Sequence, residues 1–184
     1  MSCHRAASVA GCVLSVVASG VGLSAQAPDL RLIDAIRAGR SEVVVARLAD
    51  TDVNATQADG ATALHWAAYL DNETLAAKLV ASGAAPGATN ELGVTPLTLA
   101  CENANPAMVE LLLRAGADPN AALGTGETVL MSCARTGSAS AVRAVLVAGA
   151  DVNAREQAED QTALMWAAAQ RHPAIVRLLI EQGA

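Results

Sequence analysis

From residue 57 onward the chain cycles between two kinds of apolar run. One kind repeats at helical spacing: Met108-Val109 with Leu111-Leu112-Leu113, and Ile175-Val176 with Leu178-Leu179-Ile180. Glu110 and Arg177 interrupt these runs at positions free to face water, so each run predicts a helix with one buried face. The other kind is built from small residues, as in Ala67-Ala68 and Ala167-Ala168. It predicts a shorter helix that can press closely against its neighbours. Gly-Ala follows each long run, where glycine tolerates the left-handed conformation that ends a helix. The predicted unit is turn, helix, break, helix, cap.

The unit recurs. ATALHWAA at 61–68 returns as QTALMWAA at 161–168, and the threonines Thr62, Thr95, Thr128 and Thr162 are spaced 33, 33 and 34 residues apart. Gly83, Gly116, Gly149 and Gly183 keep the same beat, as do Asn54, Asn120 and Asn153, with Gly87 in the remaining slot. Gly60, Gly93 and Gly126 stand two residues before a threonine, where a tight turn with positive φ needs a residue without Cβ. Each threonine is then placed to cap a helix, and in Thr95-Pro96 the proline takes the first helical position. Helices of two or three turns do not persist alone in water, so neighbouring units must stack into a layered core that grows in one dimension.

Thr95-Pro96-Leu97 with Ala100, Ala63-Leu64-His65 with Ala67-Ala68, and Gly-Ala-Asp-x-Asn at 116–120 and 149–153 resemble ankyrin repeats. The resemblance covers nearly all of the chain after residue 28. It implies an all-α solenoid of stacked helix-turn-helix units with turn or short hairpin fingers. Full units phase as 57–89, 90–122, 123–155 and 156–184, the last incomplete at its end, and 28–56 reads as a degenerate first unit with Leu32, Ala35 and Gly39 in register. Three departures predict less regular turns. Ala85-Pro86-Gly87 replaces Asp-x-Asn, Asp160 replaces the turn glycine, and one residue is inserted between 153 and 162. The sequence stops at Glu181-Gln182-Gly183-Ala184 without a polar terminal unit, so a continuation or a cover for the last layer is expected.

Composition narrows the partners. Apolar residues make up 53% but aromatics only 2%, so the core must be thin and built from Leu, Val, Ile and Ala. Residues 1–27 form a different segment: MSCHR, the small apolar run AASVAGCVLSVVASGVGL, then SAQA ending in Ala25-Gln26-Ala27. This is the pattern of a secretory signal peptide, with cleavage expected after Ala27 and the mature chain periplasmic or secreted, of bacterial type. A retained membrane span is disfavoured by the short Gly-, Ser- and Ala-rich run. Val9-Ala10-Gly11-Cys12 resembles a lipoprotein box, but Cys12 precedes most of the apolar run. Cleavage lowers the basic residues from 12 to 11 and leaves 18 acids, a net charge of −7. An acidic chain disfavours nucleic acid as a partner, and the mature chain carries no expected membrane span. Two cysteines remain, Cys101 and Cys133. Export permits a disulfide, but packed helix axes lie about 8–10 Å apart, whereas bridged Cα atoms need about 7 Å or less, so free buried thiols are the expectation.

Candidate chemistry is sparse. No Ser-His-Asp order, glycine-rich phosphate loop or paired metal motif is present, so no catalytic residue, metal or cofactor is expected. His65 stands in Thr-x-Leu-His, for which the resemblance implies a structural hydrogen bond, together with structural roles for Thr62, Thr95, Pro96, Thr128 and Thr162. His172 reads as a loop residue. Trp66 and Trp166, each four residues after its threonine, read as packing between units. The resemblance further implies that a partner protein binds the concave face at positions flanking the first helix of each unit. Here these are Asp59, Ala61, Tyr69 and Leu70; Glu91, Leu92, Val94, Glu102 and Asn103; Thr125, Glu127, Arg135 and Thr136; and Glu159, Gln161 and Gln170. Acids mixed with Tyr, Leu and Val predict a basic, partly apolar partner. The alternative is a structural scaffold or self-association through the uncapped last unit.

Overall fold

The computed structural model describes residues 30–184; the expected leader over 1–27, with Cys3, Cys12 and the cleavage site, lies outside the described residues. Ten helices follow in order: α1 (Arg31–Arg37), α2 (Ser41–Arg47), α3 (Ala63–Tyr69), α4 (Glu73–Ala81), α5 (Pro96–Glu102), α6 (Pro106–Arg114), α7 (Val129–Thr136), α8 (Ala139–Val147), α9 (Ala163–Ala169) and α10 (Pro173–Glu181). Each odd helix packs on the even helix after it. The odd helices stack in chain order from α1 to α9, and α4, α6, α8 and α10 stack as a second layer. The result is the expected all-helical solenoid. Its fingers are turns, with one isolated antiparallel bridge between Ala122 and Thr128.

Local chemistry sets the helix starts. Thr62, Thr95, Thr128 and Thr162 are extended, and their hydroxyls accept the N–H of His65, Thr98, Met131 and Met165. Asn72, Asn105 and Ser138 do the same for α4, α6 and α8. After the first helices the chain turns through positive φ at Asp71, Ala104, Gly137 and Arg171. Only at position 137 is glycine dictated by its neighbour, because a Cβ there would lie 2.7 Å from Cε1 of His172. The His172 ring fills that space and its Nε2 donates to the Arg135 carbonyl at 3.1 Å. This residue, at the start of α10, therefore ties that helix to α7.

Between the layers, Leu64, Leu97 and Leu130 are buried at equivalent positions, and Ala67 and Ala100 let the first helices approach. The approach is close enough to correct one expectation. Cys101 and Cys133 form a disulfide between α5 and α7, with Cα atoms 4.5 Å apart. Interaxial distance is the wrong ruler here: each Cα lies about 2.3 Å from its own axis, so facing Cα atoms come roughly 4–5 Å nearer than the axes.

At the opposite end of each unit, asparagines clip successive loops together. Asn54 Nδ2 donates to Gly83 O and its Oδ1 accepts from Ala85 N; Asn120 does the same with Gly149 O and Asp151 N. Asn153 Nδ2 donates to Gly183 O. Gly87 has no side chain to continue the series, yet nothing lies within 4 Å of where its Cβ would stand, and its φ is not positive. Gly87→Asn is therefore expected to stabilise the protein by about 1 kcal/mol, from the new hydrogen bonds and reduced unfolded-state freedom. Its check is a higher midpoint in urea unfolding; a midpoint equal to wild type would count against the clip.

The last layer differs from the inner ones. Met165 and Ile180 are 50% and 57% exposed, whereas Met131 at the site equivalent to Met165 is fully buried under the next unit.

Candidate binding face on fingers and first helices

The fingers between units form a continuous edge. Glu91 N donates to Asp59 O, Gly124 N to Leu92 O and Gln157 N to Thr125 O, at 2.9, 3.1 and 3.0 Å, so each finger hydrogen-bonds to the one before it. A Cβ on Gly93 would sit 3.0 Å from Ala122 O of the next finger, so glycine is needed there for close approach as well as for its positive φ. Side chains brace the tips: Asp59 Oδ1 accepts from Ala61 N, and Asn90 Oδ1 from Leu92 N and Val94 N. The fourth finger, longer by one residue and lacking its glycine, is held differently. The Glu156 carboxylate accepts from Ala158, Glu159 and Gln161 N–H groups, while Asp160 takes φ of 59° and pairs with Arg155 at 2.6 Å. These bonds, led by that from Gln161, hold the Glu156 carboxyl below its usual pKa.

His65 joins the first two full units. Thr62 N–H donates to its Nδ1 at 3.1 Å, so Nε2 carries the proton and donates to Val94 O in the next finger at 3.0 Å. Burial lowers its pKa, against the opposing pull of the Val94 bond and the Asp59 charge. The folded state thus favours neutral imidazole. That stability is present above the ordinary pKa of 6.5 and is lost as pH falls through it toward the lowered folded value. His65→Ala is expected to cost about 2 kcal/mol near pH 7.5 by orphaning buried groups. The gap between wild type and variant should narrow at pH 5 in thermal melts. A gap that widens on acidification would contradict this protonation state.

Beside His65 lies a cavity of about 290 Å³, lined by Ala61, His65, Trp66, Tyr69, Asn90, Val94 and Leu99. The Trp66 Nε1–H donates to Gln57 Oε1 at 2.7 Å, Tyr69 meets the indole edge-to-face at 5.7 Å between centroids, and the Arg37 guanidinium lies 4.8 Å from the ring centroid. Trp66 and Trp166 pack against the core, as read from their spacing. Trp166 nonetheless lacks an equivalent of the Gln57 bond, and its buried Nε1 has no partner among the described residues. Gln157, five residues before Thr162, instead lies against Gly126 in the lengthened finger.

The positions singled out from sequence fall into three groups. Asp59, Tyr69, Leu70, Glu91, Leu92, Thr125, Glu159 and Gln170 are exposed on fingers or at first-helix ends. Several others are engaged within the fold. Asn103 donates to Ala68 O and Tyr69 O, Thr136 to Cys101 O and Cys133 O, and Arg135 stands 3.5 Å from Glu102 and 3.9 Å from Glu127. Gln161 bonds to Glu159. Ala61 is buried and offers only a methyl to the cavity, while Val94 contributes its carbonyl to His65. Sequence reasoning missed Gln57, Arg37, Asn90 and Leu99. For Gln57 and Asn90 the signal was a side-chain amide five residues before each threonine.

Among the described residues no helix is long and apolar enough to cross a membrane. No curated protein matches the chain. The family model of ankyrin repeats (3 copies) matches residues 32–123 and again 121–184. Ankyrin repeats are generally protein–protein interaction modules. With the stacked helix pairs, the threonine-capped first helices and the finger edge, this match over most of the sequence means that the chain belongs to the ankyrin repeat family.

Proposed function

We propose that this protein is an exported, non-catalytic interaction module that binds a basic, partly apolar partner protein on its concave face of fingers and first helices. The observation that carries the reading is that exposed Tyr69 lines the same hollow as Ala61 and Asn90, on the hydrogen-bonded fingers that carry exposed Leu92 and the acids Asp59 and Glu91, with Leu70 exposed at the end of α3. Apolar area holds a partner, while unlike charge speeds encounter. The buried disulfide supports export, because such bonds persist in oxidising compartments. The test is affinity capture with the mature domain, comparing wild type with Tyr69→Ala and Leu70→Ala. Loss of the captured protein in the variants supports this face, and undiminished capture removes it. Sequencing the amino terminus of the mature protein checks cleavage after Ala27.

A second reading is self-association, favoured by the exposed apolar layer at Met165 and Ile180. Light scattering decides it: mass rising with concentration, and returning to monomer on Ile180→Glu, supports it. A monomer at high concentration counts against it.

A further inference from the structure

The finger face is not uniform. In its later part the charges answer one another: Arg135 with Glu102 and Glu127, Arg155 with Asp160, and Glu156 with three backbone N–H groups. Ser132 donates to Glu127 as well. In the earlier part Asp59 Oδ1 accepts from Ala61 N, but among the described residues neither Asp59 nor Glu91 has a cation within ion-pairing distance. These two acids sit on the fingers that border the cavity lined by Trp66, Tyr69, Val94 and Leu99, adjacent to its lining residues Asn90 and Ala61. Arg37, stacked on the Trp66 ring, is not part of that lining.

A cavity of about 290 Å³ is at the small end for a cofactor site, but it accepts a single branched apolar side chain. Its rim disfavours an anion and leaves carboxylates ready for a cation. We infer that the partner's recognition element is a short segment in which one leucine-like side chain, flanked by lysine or arginine, enters the cavity between Trp66 and Leu99 while its cations meet Asp59 and Glu91. This rests on the finger face being the binding face. The later fingers then add contact area without directing charge.

The experiment uses the mature, disulfide-bonded protein carrying Trp166→Phe, which leaves Trp66 as its one tryptophan. Three synthetic peptides in identical Gly-Ser flanks, with centres Lys-Leu-Lys, Lys-Ala-Lys and Glu-Leu-Glu, are titrated against Trp66 emission. The Lys-Leu-Lys peptide is expected to bind at least about tenfold more tightly than either other, the difference that one apolar side chain in a fitted pocket supplies. Raising salt should weaken it severalfold. Leu99→Ala should lose about tenfold, and Glu91→Lys, an exposed change that leaves the core intact, should reverse the preference between the two leucine peptides. Equal binding of all three peptides, or an unchanged preference in Glu91→Lys, overturns the inference.

Peptides selected from a random displayed library against the same protein separate this from the broader reading. If their binding falls with Leu92→Ala and Thr125→Ala but not with Leu99→Ala or Glu91→Lys, the finger face stands and the anchor cavity fails. Insensitivity to all four substitutions overturns both.

Discussion

Replacing Cys101 and Cys133 together by alanine is expected to lower stability by about 3–4 kcal/mol, the loop-entropy value for a bridge spanning 32 residues. Alanine is the right replacement because both side chains are fully buried and serine would leave unsatisfied hydroxyls. At this size the loss should appear as a drop in Tm of roughly 7–15 °C. Dithiothreitol should depress the wild-type Tm by a similar amount and leave the variant unmoved. An equal Tm for variant and wild type, both measured without reductant, would show that the bridge contributes nothing. The loss has a particular location. In a stacked array each unit is stabilised mainly by its neighbours, and the bridge ties α5 to α7 in the middle of the stack. Hydrogen exchange in the variant should therefore accelerate first on those helices.

The second large effect is expected at Leu97. It is fully buried on α5, which packs against α3 on one side and α7 on the other. Leu97→Ala should cost about 3 kcal/mol, from lost transfer energy plus the cavity left behind. The cavity will not collapse readily, since the neighbouring first helices are already held close by Ala67, Ala100 and the Cys101–Cys133 bridge. Leu99→Ala, a half-buried position on the same helix, serves as the comparison and should cost less. If urea unfolding showed Leu97→Ala to be no worse than Leu99→Ala, Leu97 would not sit at the centre of a layered core.

Much of the fold was legible because the determinants are local and repeated. Thr62, Thr95, Thr128 and Thr162 each cap the helix that directly follows, so the cap and its target are three residues apart and appear together in the sequence. Gly60, Gly93 and Gly126 adopt positive φ where the turn required it. The exposure of Tyr69, Leu70 and Leu92 was not legible from local pattern, since it depends on how neighbouring units stack. The cavity beside Trp66 was not legible. It forms between α3 and the finger of the next unit, and its floor and rim come from residues some thirty positions apart.

The sequence by itself determined the unit: its period, its helix starts, its turn glycines, its apolar seam and the acidic charge it carries, because each depends on chemistry within a few residues. Tertiary structure decided what happens between units. It joined Cys101 to Cys133, set His65 against Val94, left Trp166 without the bond that Trp66 makes to Gln57, and placed Asp59 and Glu91, with no cation in ion-pairing distance among the described residues, beside an apolar hollow. The reason is geometric. Periodicity specifies that neighbouring helices meet, but an interaction across the joint turns on differences of an ångström in approach, and one inserted residue in a finger is enough to change which side chains touch.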